Sequence, residues 1–539
     1  MPRTVHDAFA ARARRQPAAE FVCTEAVTAA AYGIAAGALR YGDALARIDA
    51  LRQRYAAAGY GHGHRAGLLL ENRPAFFLHW FALNALGVSV VPISAEMRSA
   101  ELRYLLEHSG LCLAISLPAR IEGLRAAADP AAVPVLLPPD HAGAVPRAPC
   151  PPPKAGEAVG RDSECALLYT SGTTGRPKGC VLGNDYFLRA GEWYATVGGL
   201  CTLREGRERL ITPLPLTHMN AMAYSAMAMI TTGGCLVQLD RFHPLGWWGS
   251  VRASGATVAH YLGVMPAMLL GAPPSDDDRR HGLRFGFGAG VDRRQQAAFE
   301  ERFGLPLLEA WAMTETGAGA VVIANREPRH VGRSCFGRAE SAVQWRLVGD
   351  DGRDVPAGDS GELWVRAAGP EPRAGFFSEY LKDEAATAEA WEHGWFHTGD
   401  LVRADADGNL YFVDRRKNLI RRSGENISAV EVESVLAQHP AVHAVAVAAT
   451  PDAVRGDEVL ACVVLREPAA DPAAVAADIT DHALRQLAYY KAPGYVAFVD
   501  ALPLTVSQKV QRGELKTLAA SLPGQPHCID TRAMKRRQG

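Results

Sequence analysis

The stretch CALLYTSGTTGRPKG, residues 165–179, sets an apolar run directly against a loop rich in glycine and hydroxyls. Five apolar residues bounded by turn formers read as a short buried strand. From Tyr169 to Gly179 the chain carries four serine or threonine hydroxyls, three glycines and Lys178. Backbone N–H groups, hydroxyl donors and a cation on one loop suit a polyphosphate. The pattern differs from the G-x-x-x-x-G-K-[ST] phosphate loop, because Pro177 precedes Lys178 and Gly179 follows it. Taken alone, the same composition also describes a surface turn.

On both sides of this stretch, short β-rich runs alternate with helix-length segments: AGLLL at 66–70, SVVPI at 89–93, ERLITPL at 208–214 and CLVQL at 235–239. That alternation predicts a layered α/β fold. Residues 75–93 read as a buried helix followed by a strand, and the arginine- and alanine-rich N-terminus as an amphipathic surface helix rather than a signal or transit peptide. After Gly352 the segments DVPAGDSGELWVRA and GNLYFVDRRKNLI alternate like strands between Gly and Asp punctuation, which predicts a small β-rich unit. From Ile427 the order is helix 429–438, strand 442–448, strand 459–465, helix 472–490 and strand 495–499, a compact α+β domain of roughly 120 residues. The expected fold class is therefore α/β: a large N-terminal domain of layered subdomains with a β-rich unit, then a small C-terminal α+β domain.

Composition narrows the function. The chain has 539 residues, 48% hydrophobic and 21% charged, with a formal net charge of -1, which gives no sign of a nucleic-acid partner. No apolar run is long enough for a transmembrane span. Ten cysteines, scattered from Cys23 to Cys528 without a C-x-x-C pair, argue against a zinc site or a disulfide framework and for a reducing cytoplasm. The run PRAPCPPPK reads as a surface linker, and the end MKRRQG as a solvated basic tail.

The string from Tyr169 to Gly179 resembles the phosphate loop of the adenylate-forming superfamily, which comprises acyl-CoA synthetases, luciferases and the adenylation domains of peptide synthetases. Further motifs follow in that family's order: PLPLTH ending at His218, AWAMTE at 310–315, WFHTGD ending at Asp400, FVDRRKNLIRRSGENI at 412–427, and YKAP with LPLTVSQKVQR closing the chain. Singly these are weak: a buried Trp beside a capping pair, a turn, a solvated charged loop and a solubilising lysine describe them equally well. Six in order across some 340 residues are not coincidence. The hinge segment is most similar to that of crotonobetaine/carnitine-type CoA ligases.

The resemblance implies an ATP-dependent acid–CoA ligase: carboxylate and ATP give acyl-AMP and pyrophosphate, then CoA takes the acyl group. Its cofactors are ATP, Mg²⁺ and coenzyme A, and its partners a small carboxylic acid and CoA, with room for a homodimer. Thr170, Ser171, Gly172, Thr173, Thr174, Gly175 and Lys178 are implied to hold phosphates, with Gly288, Ala289, Gly290, Trp311, Asp400 and Arg415 around the nucleoside. Glu315 is implied to hold Mg²⁺ and Thr314 a phosphate oxygen, while Lys509 and His218 serve adenylation. The acid pocket is implied to take in His218, Met219, Asn220, Met222, Val264, Ala312 and Met313, for an aliphatic or aryl acid of modest size. Lys417 is implied as the hinge between domains 1–416 and 417–539, and Gly424, Glu425 and Asn426 as the CoA-step loop. Trp311 stands where the family more often has tyrosine, Ala312 where it has glycine and narrows the acyl tunnel, and Gln508 where glycine precedes the lysine. The alternatives are a stand-alone enzyme loading a carrier protein, a luciferase-like oxygenase and a non-catalytic acyl or nucleotide sensor.

Overall fold

Thr4 and Asp7 open the first helix, Val5–Arg15, with reciprocal caps: Asp7 N–H donates to Thr4 Oγ1 at 3.0 Å and Thr4 N–H to Asp7 Oδ2 at 3.2 Å. Such a capping box stabilises a helix start by about 1 kcal/mol. Val5, Phe9, Ala10 and Ala13 form its buried face. The computed structural model describes residues 1–97, 99–130, 132–170, 177–415, 418–422, 425–452, 455–487, 489–504 and 509–535.

The helix Pro74–Asn84 is apolar all round and correspondingly buried, and the strand Ser89–Pro92 follows it, as the sequence predicts. That strand belongs to a seven-stranded sheet in which Glu164–Thr170, Ser89–Pro92, Arg65–Leu69, Leu113–Ser116 and Val135–Leu137 run parallel. A second sheet of eight strands has six parallel members: Leu307–Trp311, Phe285–Ala289, Val258–Leu262, Arg209–Thr212, Cys235–Gln238 and Glu20–Thr24. Ligands of such sheets bind beyond the carboxyl ends of the strands. Residues 213–218, 263–264, 290 and 312–315 all lie just past those ends.

The β-rich unit is a five-stranded antiparallel sheet, ordered Cys335–Gly337, Leu410–Arg415, Phe396–Ala404, Ser360–Ala367 and Val343–Val348. It begins before Gly352, because Cys335–Gly337 and Val343–Val348 supply one edge strand each. The C-terminal part has its own sheet and a separate apolar core that includes Ile420, Ile427, Val432, Val459 and Val496.

Two sequence expectations need correction. The last long helix is Pro472–Leu484, six residues shorter than expected. Beyond it Lys491 is drawn onto Glu431 at 2.7 Å, and Pro493 favours an extended chain entering the strand Tyr495–Phe498. The proline-rich run at 146–154 stays at the surface, tied down by Ala148 N–H on Ala58 O at 2.8 Å and Lys154 N–H on His62 O at 3.0 Å. In the basic end, Lys535 is not solvated. Its fully buried Nζ stands 2.5 Å from Glu458 Oε1, and Arg422 Nε takes the same carboxylate at 2.9 Å. Burial pushes the Lys535 ammonium down to about 8, against the opposing pull of Glu458. All ten cysteines are free.

Candidate functional site

Past the ends of the parallel strands, glycines permit an approach that a side chain would block. A Cβ at Gly288 would stand 2.3 Å from Tyr261 O, and one at Gly263 would stand 1.7 Å from Gly290 O. Behind this loop lies Glu309, buried in the strand Leu307–Trp311. Its carboxylate accepts Gly290 N–H at 2.9 Å, Val291 N–H at 3.3 Å and Tyr261 O–H at 2.5 Å. Burial raises the Glu309 carboxyl to about 7, and these donors only partly offset it. Glu309 was not among the residues singled out from sequence. A lone Glu in a strand carries no signal until the strand register places it under Gly290.

Trp311, Asp400 and Arg415 meet at the border with the five-stranded sheet. Asp400 and Arg415 are cross-strand partners, and Arg415 Nε is 2.9 Å from Asp400 Oδ1. Trp311 Nε1–H donates to Asp400 Oδ2 at 2.9 Å, and its ring lies against Phe336 at 6.0 Å. The Trp in place of tyrosine therefore brings an indole donor that ties two sheets together. Thr398 and Glu362 fix the backbone here: Asp400 N–H donates to Thr398 Oγ1, and Gly399 N–H to Glu362 Oε1, both at 3.0 Å.

Thr170 and Lys178 are antiparallel partners, and Ser171, Gly172, Thr173, Thr174 and Gly175 between them lie outside the described residues. Lys178 Nζ stands 4.7 Å from the centre of the Tyr380 ring and 4.0 Å from Asp383 Oδ2. Tyr380 O–H donates to Glu315 Oε1 at 2.9 Å, so one tyrosine joins the loop lysine to the carboxylate expected to hold a cation. Thr316, not Thr314, closes the turn, its Oγ1 accepting Met313 N–H at 2.9 Å, which leaves Thr314 half-exposed. A buried carboxylate held in place by a phenol fits the hard oxygen ligand that Mg²⁺ takes.

His218 and Lys509 keep water-accessible surface although protein surrounds both, as in a cleft. Crowding by protein and the nearby charge of Lys509 push the His218 imidazole down to about 4. The same crowding, then the charge of Arg415, lowers the Lys509 ammonium. Lys509 thus comes near both the expected acid site and the expected nucleotide site. Met219, Asn220, Ala312 and Met313 are half-exposed and Val264 is exposed. Met222 has no exposed surface and belongs to the main core, within the π-helix Asn220–Ala226, of which Ala221–Ala226 are all buried. Lys417, Gly424 and Gln508 lie outside the described residues, and Glu425 and Asn426 are in the strand Glu425–Ser428.

Residues 9–377 match the AMP-binding enzyme family, and residues 431–509 match the AMP-binding enzyme C-terminal domain. The chain belongs to the AMP-binding enzyme family. Curated relatives of this AMP-binding enzyme include the crotonobetaine/carnitine–CoA ligases of Shigella sonnei strain Ss046 and of Escherichia coli O9:H4 strain HS. Each is 32% identical over 476 residues, covering 85% of this chain and 89% of the relative. Among solved structures, the o-succinylbenzoate CoA synthetase of Bacillus subtilis bound to its acyl-adenylate has a similar fold, with a TM-score of 0.80 at 24% identity over 94% of this chain and 97% of that one. The ATP-bound MatB of Rhodopseudomonas palustris matches with a TM-score of 0.79 at 24% identity, over 96% and 99% of the two chains. This AMP-binding enzyme is an AMP-forming acid–CoA ligase that uses ATP, Mg²⁺ and CoA, and the kinship favours that activity over carrier loading or sensing. Among the described residues no helix is long and apolar enough to cross a membrane.

Proposed function

We propose that the enzyme converts a carboxylic acid of modest size to its CoA thioester in one cleft, with residues 417–539 turning about Lys417 between the two half-reactions. The observation that carries this reading is the position of Lys509, whose charge acts on His218 at one side and feels Arg415 at the other. A group that bridges acid and nucleotide sites is where a carboxylate meets the α-phosphorus of ATP.

Two anions must approach for that attack, so the site neutralises charge before it positions the reactants. Lys178 would hold the departing pyrophosphate, steadied by Tyr380 and Asp383. Lys509 would face the developing charge, and a preorganised donor of this kind is worth roughly 100–1000-fold in rate. His218, kept neutral by its surroundings, would border the acid without adding a second cation. Asp400, aligned by Trp311 and Arg415, would accept the ribose hydroxyls. Glu315 would hold Mg²⁺, which supplies charge neutralisation between phosphate oxygens.

In the second step a thiol attacks the mixed anhydride, and Lys509 must give way to the segment holding Gly424. We place this chemistry in the cytoplasm, with a homodimer as a further possibility for solution work. The test is acid-dependent pyrophosphate release across a panel of acids, with and without CoA, and mass spectrometry of the product. Release of diphosphate and formation of an acyl-CoA with at least one acid support the reading. Turnover that needs a carrier protein in place of CoA sinks it.

A further inference from the structure

Beside His218 a chain of neutral polar groups runs from the core to the cleft. Tyr194 Oη lies 3.0 Å from His260 Nε2, and His260 Nδ1 lies 2.8 Å from Ser225 Oγ and 2.9 Å from Asn220 Oδ1. Tyr194, Ser225 and His260 are fully buried or nearly so, whereas Asn220 is half-exposed. The Phe287 ring, 4.7 Å from both Tyr194 and His260, holds the imidazole in its plane.

Hydrogen-bond bookkeeping settles which way each group points. The Tyr194 phenol must donate, since burial keeps it protonated, and among the described residues its only acceptor is His260 Nε2. Burial also keeps the imidazole neutral, down to about 3, so Nδ1 carries the proton. That proton faces Asn220 Oδ1 and Ser225 Oγ, and the Ser225 hydroxyl in turn is 3.3 Å from Asn220 O and 3.4 Å from Asn220 Oδ1. Every contact therefore uses the oxygen of the Asn220 side chain. Its NH₂ group has no hydrogen bond among the described residues and is not sealed off from water. The π-helix Asn220–Ala226 delivers Asn220 and Ser225 together to one histidine.

The geometry assigns Asn220 as the residue that reads the acid: its amide, held oxygen-inward by His260, offers N–H donors to an acceptor oxygen on an uncharged substrate tail. This rests on the placement of the acid beside His218 and Lys509. The preferred substrate class is a carboxylic acid with a hydroxyl, oxo or ether oxygen along its chain or ring. An ammonium-bearing tail is disfavoured, because the network holds no carboxylate and Lys509 stands near.

The decisive measurement needs no turnover. Pairs of non-hydrolysable acyl-sulfamoyl adenosines, identical except that an oxygen replaces a methylene at successive positions, are titrated calorimetrically into the full-length enzyme. For at least one position the oxygen-bearing member should bind about 3- to 10-fold tighter. In Asn220→Leu that ratio should fall to near one. Tyr194→Phe, which frees His260 to change tautomer, should lower it as well. Equal affinity within every pair, or a ratio unchanged in Asn220→Leu, overturns the assignment. Failure of the acid-dependent pyrophosphate assay, with the affinity ratio intact, would instead sink the ligase reading and leave Asn220 as the acid reader.

Discussion

Ser428 donates its hydroxyl to Asp414 Oδ2 at 2.6 Å, and the same buried carboxylate oxygen accepts Val430 N–H at 3.3 Å. Asp414 lies in the strand Leu410–Arg415 of the β-rich unit, and Ser428 caps the helix Ala429–Leu436 of the C-terminal part. The pair therefore spans the proposed hinge. If the proposed turn about Lys417 separates them, Asp414 would stabilise the arrangement in which Lys509 faces the cleft.

Asp414→Ala should then weaken adenylate formation more than thioester formation. Loss of a charge-assisted bond of this kind costs about 1.5–3 kcal/mol, so acid-dependent pyrophosphate release should drop roughly 10- to 100-fold. Conversion of a supplied acyl-adenylate by CoA should be kept or rise. The two half-reactions are measured separately, and a matching fall in both would show that Asp414 serves only folding.

Trp311→Phe keeps an aromatic face and removes the indole N–H that Asp400 accepts at 2.9 Å. Asp400 then loses a donor that aims it, and one neutral-to-charged hydrogen bond is worth about 1.5–3 kcal/mol. The KM for ATP should rise about tenfold or more, while the KM for the acid stays within about twofold. A shift confined to the acid would remove Asp400 from the nucleotide side.

The strand-and-helix alternation and the buried helix at 74–84 are legible in the sequence, because each is written as hydrophobic periodicity. Glu309, Tyr380, Asp414 and His260 are not. Each acts through a partner at least 14 residues away: Gly290 for Glu309, Glu315 for Tyr380, Ser428 for Asp414 and Asn220 for His260. Such pairings depend on strand register, which a single sequence does not display. Lys535 misled because three basic residues at a chain end look solvated until Glu458 is found beside Lys535.

Glu309 supplies a pH signature. Its folded-state carboxyl is raised to about 7 from an ordinary 4.5, so the folded chain holds a proton that the unfolded chain releases. The contribution to stability is complete below about pH 4.5 and is lost as pH climbs through about 7, amounting to about 3 kcal/mol at most. Denaturant midpoints measured from pH 5 to pH 8 should decline in the native enzyme from this source. Glu309→Gln, which cannot ionise, should flatten that part of the curve. Parallel curves for the two proteins would mean that Glu309 stays ionised throughout.

Lys509→Ala should abolish adenylate formation by roughly 100–1000-fold while leaving conversion of a supplied acyl-adenylate to thioester largely intact. On the proposed hinge motion the asymmetry follows from position: Lys509 would act beside His218 and Arg415 in the adenylating arrangement and withdraw for the second step. Lys509→Arg keeps the charge but replaces a compact ammonium with a planar fork, and should recover only part of the loss. Because surrounding protein and Arg415 hold the lysine below its ordinary value, adenylation in the native enzyme should fall off with rising pH earlier than an unperturbed lysine allows. In Lys509→Arg, whose guanidinium remains charged, that alkaline limb should move upward. If both half-reactions fall together, or the alkaline limb stays put in the arginine variant, Lys509 is not the group that meets the α-phosphate.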